Sequence, residues 1–166
     1  MMIRHAKAED AEKLIELIKD AESSGFMMFE PGERKINAEA LSRRIQSIES
    51  DPTSTILLAE KDEDLLGYLF VIGNTPQRTL HSVYLAIGIS EKSRGKGVGT
   101  KLFERLDEWA SENKIRRLEL TVMVNNRAGL ALYQKMGFII EGIKKNSLKV
   151  DGEYIDEYYM AKVNGS

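Results

Sequence analysis

The segment SRGKGVG, from Ser93 to Gly99, places three glycines in seven residues between two ordered-looking runs. Before it stands HSVYLAIGIS, which reads as a buried strand, and after it TKLFERLDEWA, which reads as an amphipathic helix. Glycine weakens a helix, so a cluster of them at a helix start signals a tight connection or a close approach of the backbone to something else. The first N–H groups of a helix have no internal partners and sit at the positive end of its dipole, which suits an anion. Arg94 and Lys96 add two cations there, with the alternative that their side chains are simply solvated. Two phosphate-loop templates fail. GxxxxGK[ST] would need glycine at Ser90 and a hydroxyl at Gly97, and GxGxxG ends on Thr100 or Leu102 instead of glycine. What remains is Arg-x-x-Gly-x-Gly over Arg94, Gly97 and Gly99.

The rest of the chain supplies the frame. Ile3–Ala6 reads as a short strand, and about Asp10 to Glu22 as an amphipathic helix with Asp10 as its N-cap. SSGFMMFEPGERKI is an irregular loop carrying an apolar cluster, and Asn37 caps a second helix through Leu41, Ile45 and Ile48. STILLAE, LLGYLFVIG and HSVYLAIGIS are three strands, the first two joined by the turn KDED. After the glycine segment and its helix, to about Asn113, come the strand RRLELTVMV and the helix NRAGLALYQKM, which ends at Gly137. FIIEGIKKN and YIDEYYMAKV are strands around a VDGE turn. The order predicts an α+β sheet protein.

Composition narrows the chemistry. The chain has no cysteine, which removes disulfides, thiolate metal sites and cysteine nucleophiles. His5 and His81 are too few and too isolated for zinc, and no metal is expected. A formal net charge of −2 gives a nucleic-acid partner no support. The first residues, MMIRHAKAED, turn charged at once and resemble neither a signal peptide nor a membrane span. The expectation is a cytoplasmic protein without a membrane partner, folded as one domain over 1–166.

The Arg94-x-x-Gly97-x-Gly99 pattern resembles the acyl-CoA pyrophosphate loop of the GNAT superfamily of N-acetyltransferases. YLAIGISEKSRGKGVGTKLFERLDEWA is similar to that family's fourth strand, loop and following helix. LELTVMVNNRAGLALYQKMGFIIEG is similar to its fifth strand, Asn-bearing turn, Tyr-bearing helix and the Gly-Phe opening the next strand. The order of elements matches over nearly the whole chain, with Glu91 where the family often has proline. The resemblance implies a GNAT-like mixed central sheet of about seven strands flanked by about four helices, the fourth and fifth strands splayed.

It also implies chemistry: acetyl-CoA as cosubstrate, a primary amine as acceptor, and direct transfer through a ternary complex. On this resemblance the backbone of Ile87, Gly88 and Ile89 pairs with the pantetheine arm, and Gly88 is explained by close backbone approach. The N–H groups of Gly95, Lys96, Gly97, Val98, Gly99 and Thr100 hold the pyrophosphate, beside Arg94. Asn126 is a helix N-cap, a cofactor contact, or both. Tyr133 is a core aromatic or, by its position seven residues after Asn126, the acid that protonates the departing thiolate. Glu119 is an outward-facing strand residue or a general base, with a water-relayed base as the default.

Phe29, Glu30 and Glu33 of the irregular loop are expected to line the acceptor pocket, unless the loop is a lid packing on its own apolar residues. A carboxylate-and-apolar rim suits a cationic amine such as a polyamine, an amino sugar or a peptide N-terminus. The resemblance leaves room for a homodimer. Two readings from other classes compete: a non-catalytic acyl-CoA-binding sensor of the same fold, which would tolerate loss of Tyr133, and a nucleotide-binding regulatory module, which the failed templates disfavour.

Overall fold

The computed structural model describes residues 1–165. Seven strands form one sheet in the order β1-β2-β3-β4-β5-β7-β6. They are β1 (Met2–His5), β2 (Thr55–Lys61), β3 (Asp64–Gly73), β4 (Ser82–Ile89), β5 (Arg117–Met123), β6 (Ile139–Val150) and β7 (Glu153–Val163). Four helices flank it: α1 (Ala11–Glu22), α2 (Ala38–Glu49), α3 (Val98–Glu112) and α4 (Arg127–Lys135). The α+β sheet with four helices thus stands as expected.

Period-two alternation divides the core. On β2, Leu57 and Ala59 join Leu69, Val71, Val83 and Leu85 on the face covered by α3, where Leu102, Phe103 and Leu106 are buried. Ile56, Leu58 and Tyr68 point to the other face and meet Leu14, Ile18, Leu41 and Ile45 of α1 and α2. Both helices therefore show apolar residues at helical spacing, as burying one stripe requires.

Turns follow local chemistry. Asp62 and Glu63 take left-handed φ of 51° and 69°, closing the β2–β3 hairpin, and Asp151 and Gly152 do the same (50° and 81°) between β6 and β7. Asn37 caps α2, its side-chain oxygen accepting from the Ala40 N–H at 3.1 Å. Two expectations need correction. Asp10 does not cap α1: its carboxylate is held by two 2.8 Å bonds from Arg4 and one of 2.7 Å from the Lys7 N–H, which pulls the carboxyl well below its ordinary range. Strand β6 runs past Asn146 to Val150 because an irregular stretch between Lys144 and Leu148 absorbs the break in alternation. Asn146 there has φ 48°, and its N–H donates to Asp156 at 2.8 Å.

All neighbouring strands are antiparallel except β4 and β5. That parallel pair holds only from Ser82 to Tyr84 against Arg117 to Glu119. Beyond it the two strands no longer pair, and a gap opens in the middle of the sheet.

Candidate active site

The gap has a defined end. The hydroxyl of Tyr84, in the last β4–β5 pair, meets Oγ1 of Thr121, two residues beyond its partner Glu119, at 2.9 Å. Leu85–Ile89 on one side and Leu120–Met123 on the other then face each other without a ladder, leaving backbone groups of β4 free on that side. An extended ligand with amide groups can fill such a slot.

At the mouth of the gap β4 leads through a short 3-10 turn (Glu91–Ser93) into the glycine loop and α3. Gly95 and Gly97 have φ of 72° and 82°, conformations that L side chains rarely adopt, and a Cβ at either would meet nothing within 4 Å. Around these two glycines the cradle is open. The first α3 N–H with a partner is that of Lys101, bonded to the Gly97 carbonyl at 3.1 Å. The N–H groups of Val98, Gly99 and Thr100 precede it, aligned at the positive end of a fifteen-residue helix. Arg94 and Lys96 stand exposed beside them. The residues present fit a pyrophosphate.

Two glycines have reasons other than the ligand. A Cβ on Gly99 would lie 2.6 Å from Leu132 Cδ2, so this glycine lets α3 pack against α4. A Cβ on Gly88 would lie 2.4 Å from the Tyr68 ring, which lies directly over it. Close approach does explain Gly88, but the approaching group is Tyr68.

Across the mouth, Asn126 caps α4, its Oδ1 accepting from the Gly129 N–H at 3.0 Å. Tyr133 follows two turns later and is buried (8% exposed), edge-on to Phe103 with centroids 5.8 Å apart. Its hydroxyl makes none of the hydrogen bonds found among the described residues. Burial pushes its pKa well above the ordinary 10.0, with the Tyr84 phenol adding to the shift. Tyr68, on β3, is pushed up by burial too, and its phenol feels Glu22, Arg34 and Tyr133. Three tyrosines thus surround the gap: Tyr84 at the fork, Tyr68 over Gly88, and Tyr133 from α4.

Glu119 sits at the last paired position of the fork, half-buried, and accepts from Arg117 Nε at 2.8 Å. Arg117 also binds Glu141. Its carboxylate is therefore already matched by a cation. Phe29 lies under the Arg34 guanidinium, whose carbon is 4.4 Å from the ring centroid. Glu30 and Glu33 are exposed, tied to each other by a 3.3 Å bond from the Glu30 N–H to the Glu33 carboxylate. Among the described residues no group of acidic or histidine side chains could hold a metal, and no helix is long and apolar enough to cross a membrane.

The model of the acetyltransferase (GNAT) family matches residues 12–138. The L-amino acid N-acetyltransferase AaaT of Escherichia coli (strain K12) is 29% identical over 98% of both chains. A putative [ribosomal protein bS18]-alanine N-acetyltransferase of Bacillus subtilis (strain 168) is 34% identical over 62% of this chain and 66% of its own. Among solved structures, an acetyltransferase of the GNAT family from Streptococcus pneumoniae superposes with a TM-score of 0.93 at 30% identity, covering 99% of each chain. The fold also matches yncA of Salmonella typhimurium, solved with acetyl-CoA, with a TM-score of 0.89 at 18% identity, over 100% of this chain and 95% of that one. This chain belongs to the GNAT family of acetyltransferases.

Tyr68, Tyr84 and the pairing of Glu22 with Arg34 were not singled out by the sequence. Tyr68 and Tyr84 are hidden in apolar strand runs, and the Glu22–Arg34 pair spans a loop with no periodicity.

Proposed function

We propose that the protein transfers the acetyl group of acetyl-CoA to a primary amine, directly and within one ternary complex. The observation that carries this reading is the fork: an unpaired β4 edge leading straight into an open, positively polarised glycine cradle, with the buried phenol of Tyr133 on the helix packed against the cradle's helix. The backbone of Ile87–Ile89 takes the pantetheine amides, and the N–H groups of Gly95–Thr100, with Arg94 and Lys96, take the pyrophosphate. Asn126 fixes the turn that forms the far wall of the mouth.

The acceptor amine, deprotonated through water, attacks the thioester carbonyl. A C–N bond forms, the C–S bond breaks, and the thiolate leaves with a proton from Tyr133. A phenol with a raised pKa is fully protonated at neutral pH, the form in which an acid must wait. Glu119, occupied by Arg117, is the weaker candidate for a base, and a water relay serves better. Phe29 borders the acceptor side, while Glu30 and Glu33 lie on its exposed rim. Names of relatives support either an amino acid or a protein N-terminus as the acceptor.

Screening primary amines with acetyl-CoA while following free thiol tests the reading. Amine-dependent thiol release, with acetylated amine formed in equal amount, is expected. Thiol release without amine, or none with any amine, contradicts it.

A further inference from the structure

At the C-terminal end of α1 lies a cleft of about 470 Å³, lined by Lys19, Glu22, Pro31, Arg34, Lys35 and Ile36 among others. Its charges are three cations against one anion. Glu22 is almost wholly buried, its side chain 3% exposed, and it is satisfied by Arg34 at 2.6 Å. Lys19 reaches its neighbour Glu16 only at 3.9 Å, in the open. The cleft therefore has cationic capacity to spare. Glu30 and Glu33, the carboxylates that would have drawn a polyamine, do not line it.

Arg34 is held rather than free. Phe29 covers one face of the guanidinium and Glu22 takes one of its nitrogens. Its Nε is buried and has no hydrogen-bond partner among the described residues. The part of Arg34 that meets the cleft is the rest of the guanidinium: the side chain is 35% exposed, Glu22 uses only Nη2, and Nη1 makes no hydrogen bond among the described residues. A planar guanidinium with only one nitrogen taken by Glu22 matches a carboxylate. The end of α1 that carries Glu22 borders the end of β4 as well, where the Glu91 N–H donates to Asp20 at 3.3 Å, so the cleft lies close to the mouth of the gap.

We infer that Arg34 binds a carboxylate of the acceptor, so that the amine acetylated here belongs to a small amino acid and not to a polyamine, an amino sugar or a peptide N-terminus. The inference rests on the acetyl-transfer reading above. Pro31 and Ile36 offer apolar contacts for the acceptor's side chain, while Glu22 keeps Arg34 aimed.

The test measures kcat/KM with acetyl-CoA for the L-amino acids, their carboxamides and the corresponding amines lacking the carboxylate, with spermidine and glucosamine alongside. The preferred acceptor should carry a carboxylate, and its amide should fall by about 10- to 100-fold, the usual worth of a charge-assisted hydrogen bond. Arg34→Gln should erase that acid-over-amide ratio while leaving the KM for acetyl-CoA unchanged. Because this variant leaves Glu22 buried and unpaired, the double variant Glu22→Gln/Arg34→Gln, which has no such charge, should show the same loss with a melting temperature near wild type. A best acceptor without a carboxylate, or an unchanged ratio in both variants, overturns the inference and leaves acetyl transfer standing. No thiol release with any acceptor overturns both.

Discussion

Leu132 of α4 occupies the space where a side chain on Gly99 of α3 would be, its Cδ2 lying 2.6 Å from the ideal Cβ position. The second glycine of the Arg-x-x-Gly-x-Gly pattern is thus a packing residue, and it draws the helix of the cradle onto the helix that carries Tyr133. Gly99→Ala is a poor probe, since the Leu132 tip can swing away. Gly99→Val cannot be absorbed so easily. It should destabilise by about 1–3 kcal/mol, the usual cost of overpacking, and Leu132→Ala in the same chain should relieve part of that loss. Denaturant unfolding of the two single variants and the double variant measures it; strictly additive effects would show that the two residues do not meet.

Gly97 acts differently, through a left-handed φ of 82° and an open approach. Gly97→Ala should lower stability by roughly 1–2 kcal/mol from backbone strain alone. Acetyl-CoA should raise the melting temperature of the wild type by mass action. Gly97→Glu should remove that rise, by filling the cradle and by repulsion. An undiminished rise in the Glu variant would place the pyrophosphate elsewhere.

The amide groups of Ile87–Ile89 border the gap that follows the last β4–β5 pair at Tyr84 and Glu119. Their hydrogen exchange should slow when CoA binds, while that of β2, paired on both sides, stays the same. Equal exchange at Ile87–Ile89 with and without CoA would mean that no ligand strand enters the fork.

Much of this was legible in the sequence because local chemistry decided it. The alternation of β2 and β3, the Asn37 and Asn126 caps and the Gly95–Gly97 turn are all set by residues within a few positions of one another. Pairings between distant residues were not. Nothing near Gly88 announces that Tyr68 lies over it, and nothing near Asp10 announces that Arg4 takes the carboxylate that would otherwise cap α1. The acceptor loop was the least legible part. Its acidic and apolar composition suggested a cation site, but folding exposes Glu30 and Glu33 and turns Arg34 inward against the buried Glu22.

His5, at the end of β1, gives the fold a pH dependence that lies apart from the gap. Burial pushes its imidazole below the ordinary 6.5, and Arg105 adds to the shift while Glu112 opposes it. Its Nδ1 meets Thr55 Oγ1 at 2.6 Å, and its Nε2 faces Arg105 Nη2 at 3.4 Å. With the folded pKa lowered, the unfolded chain binds the proton more readily. Stability from this group is present above pH 6.5 and is lost as the pH falls below it. His5→Gln should flatten the stability profile in that window; a profile identical to wild type would remove His5 as its source.

The proposed role of Tyr133, supplying the proton to the departing thiolate, is tested most directly by Tyr133→Phe. The substitution keeps the ring and its edge-on contact with Phe103, and removes a hydroxyl that makes no hydrogen bond among the described residues. The measurement is kcat with saturating acetyl-CoA and the preferred amine, taken with the acetyl-CoA dissociation constant and the melting temperature of the same protein. In Tyr133→Phe, kcat should fall by about 10²–10⁴-fold, the range typical of general acid catalysis, while affinity and melting temperature stay near wild type. A variant that folds, binds acetyl-CoA normally and keeps full kcat would contradict it, and would leave Tyr133 as a core aromatic.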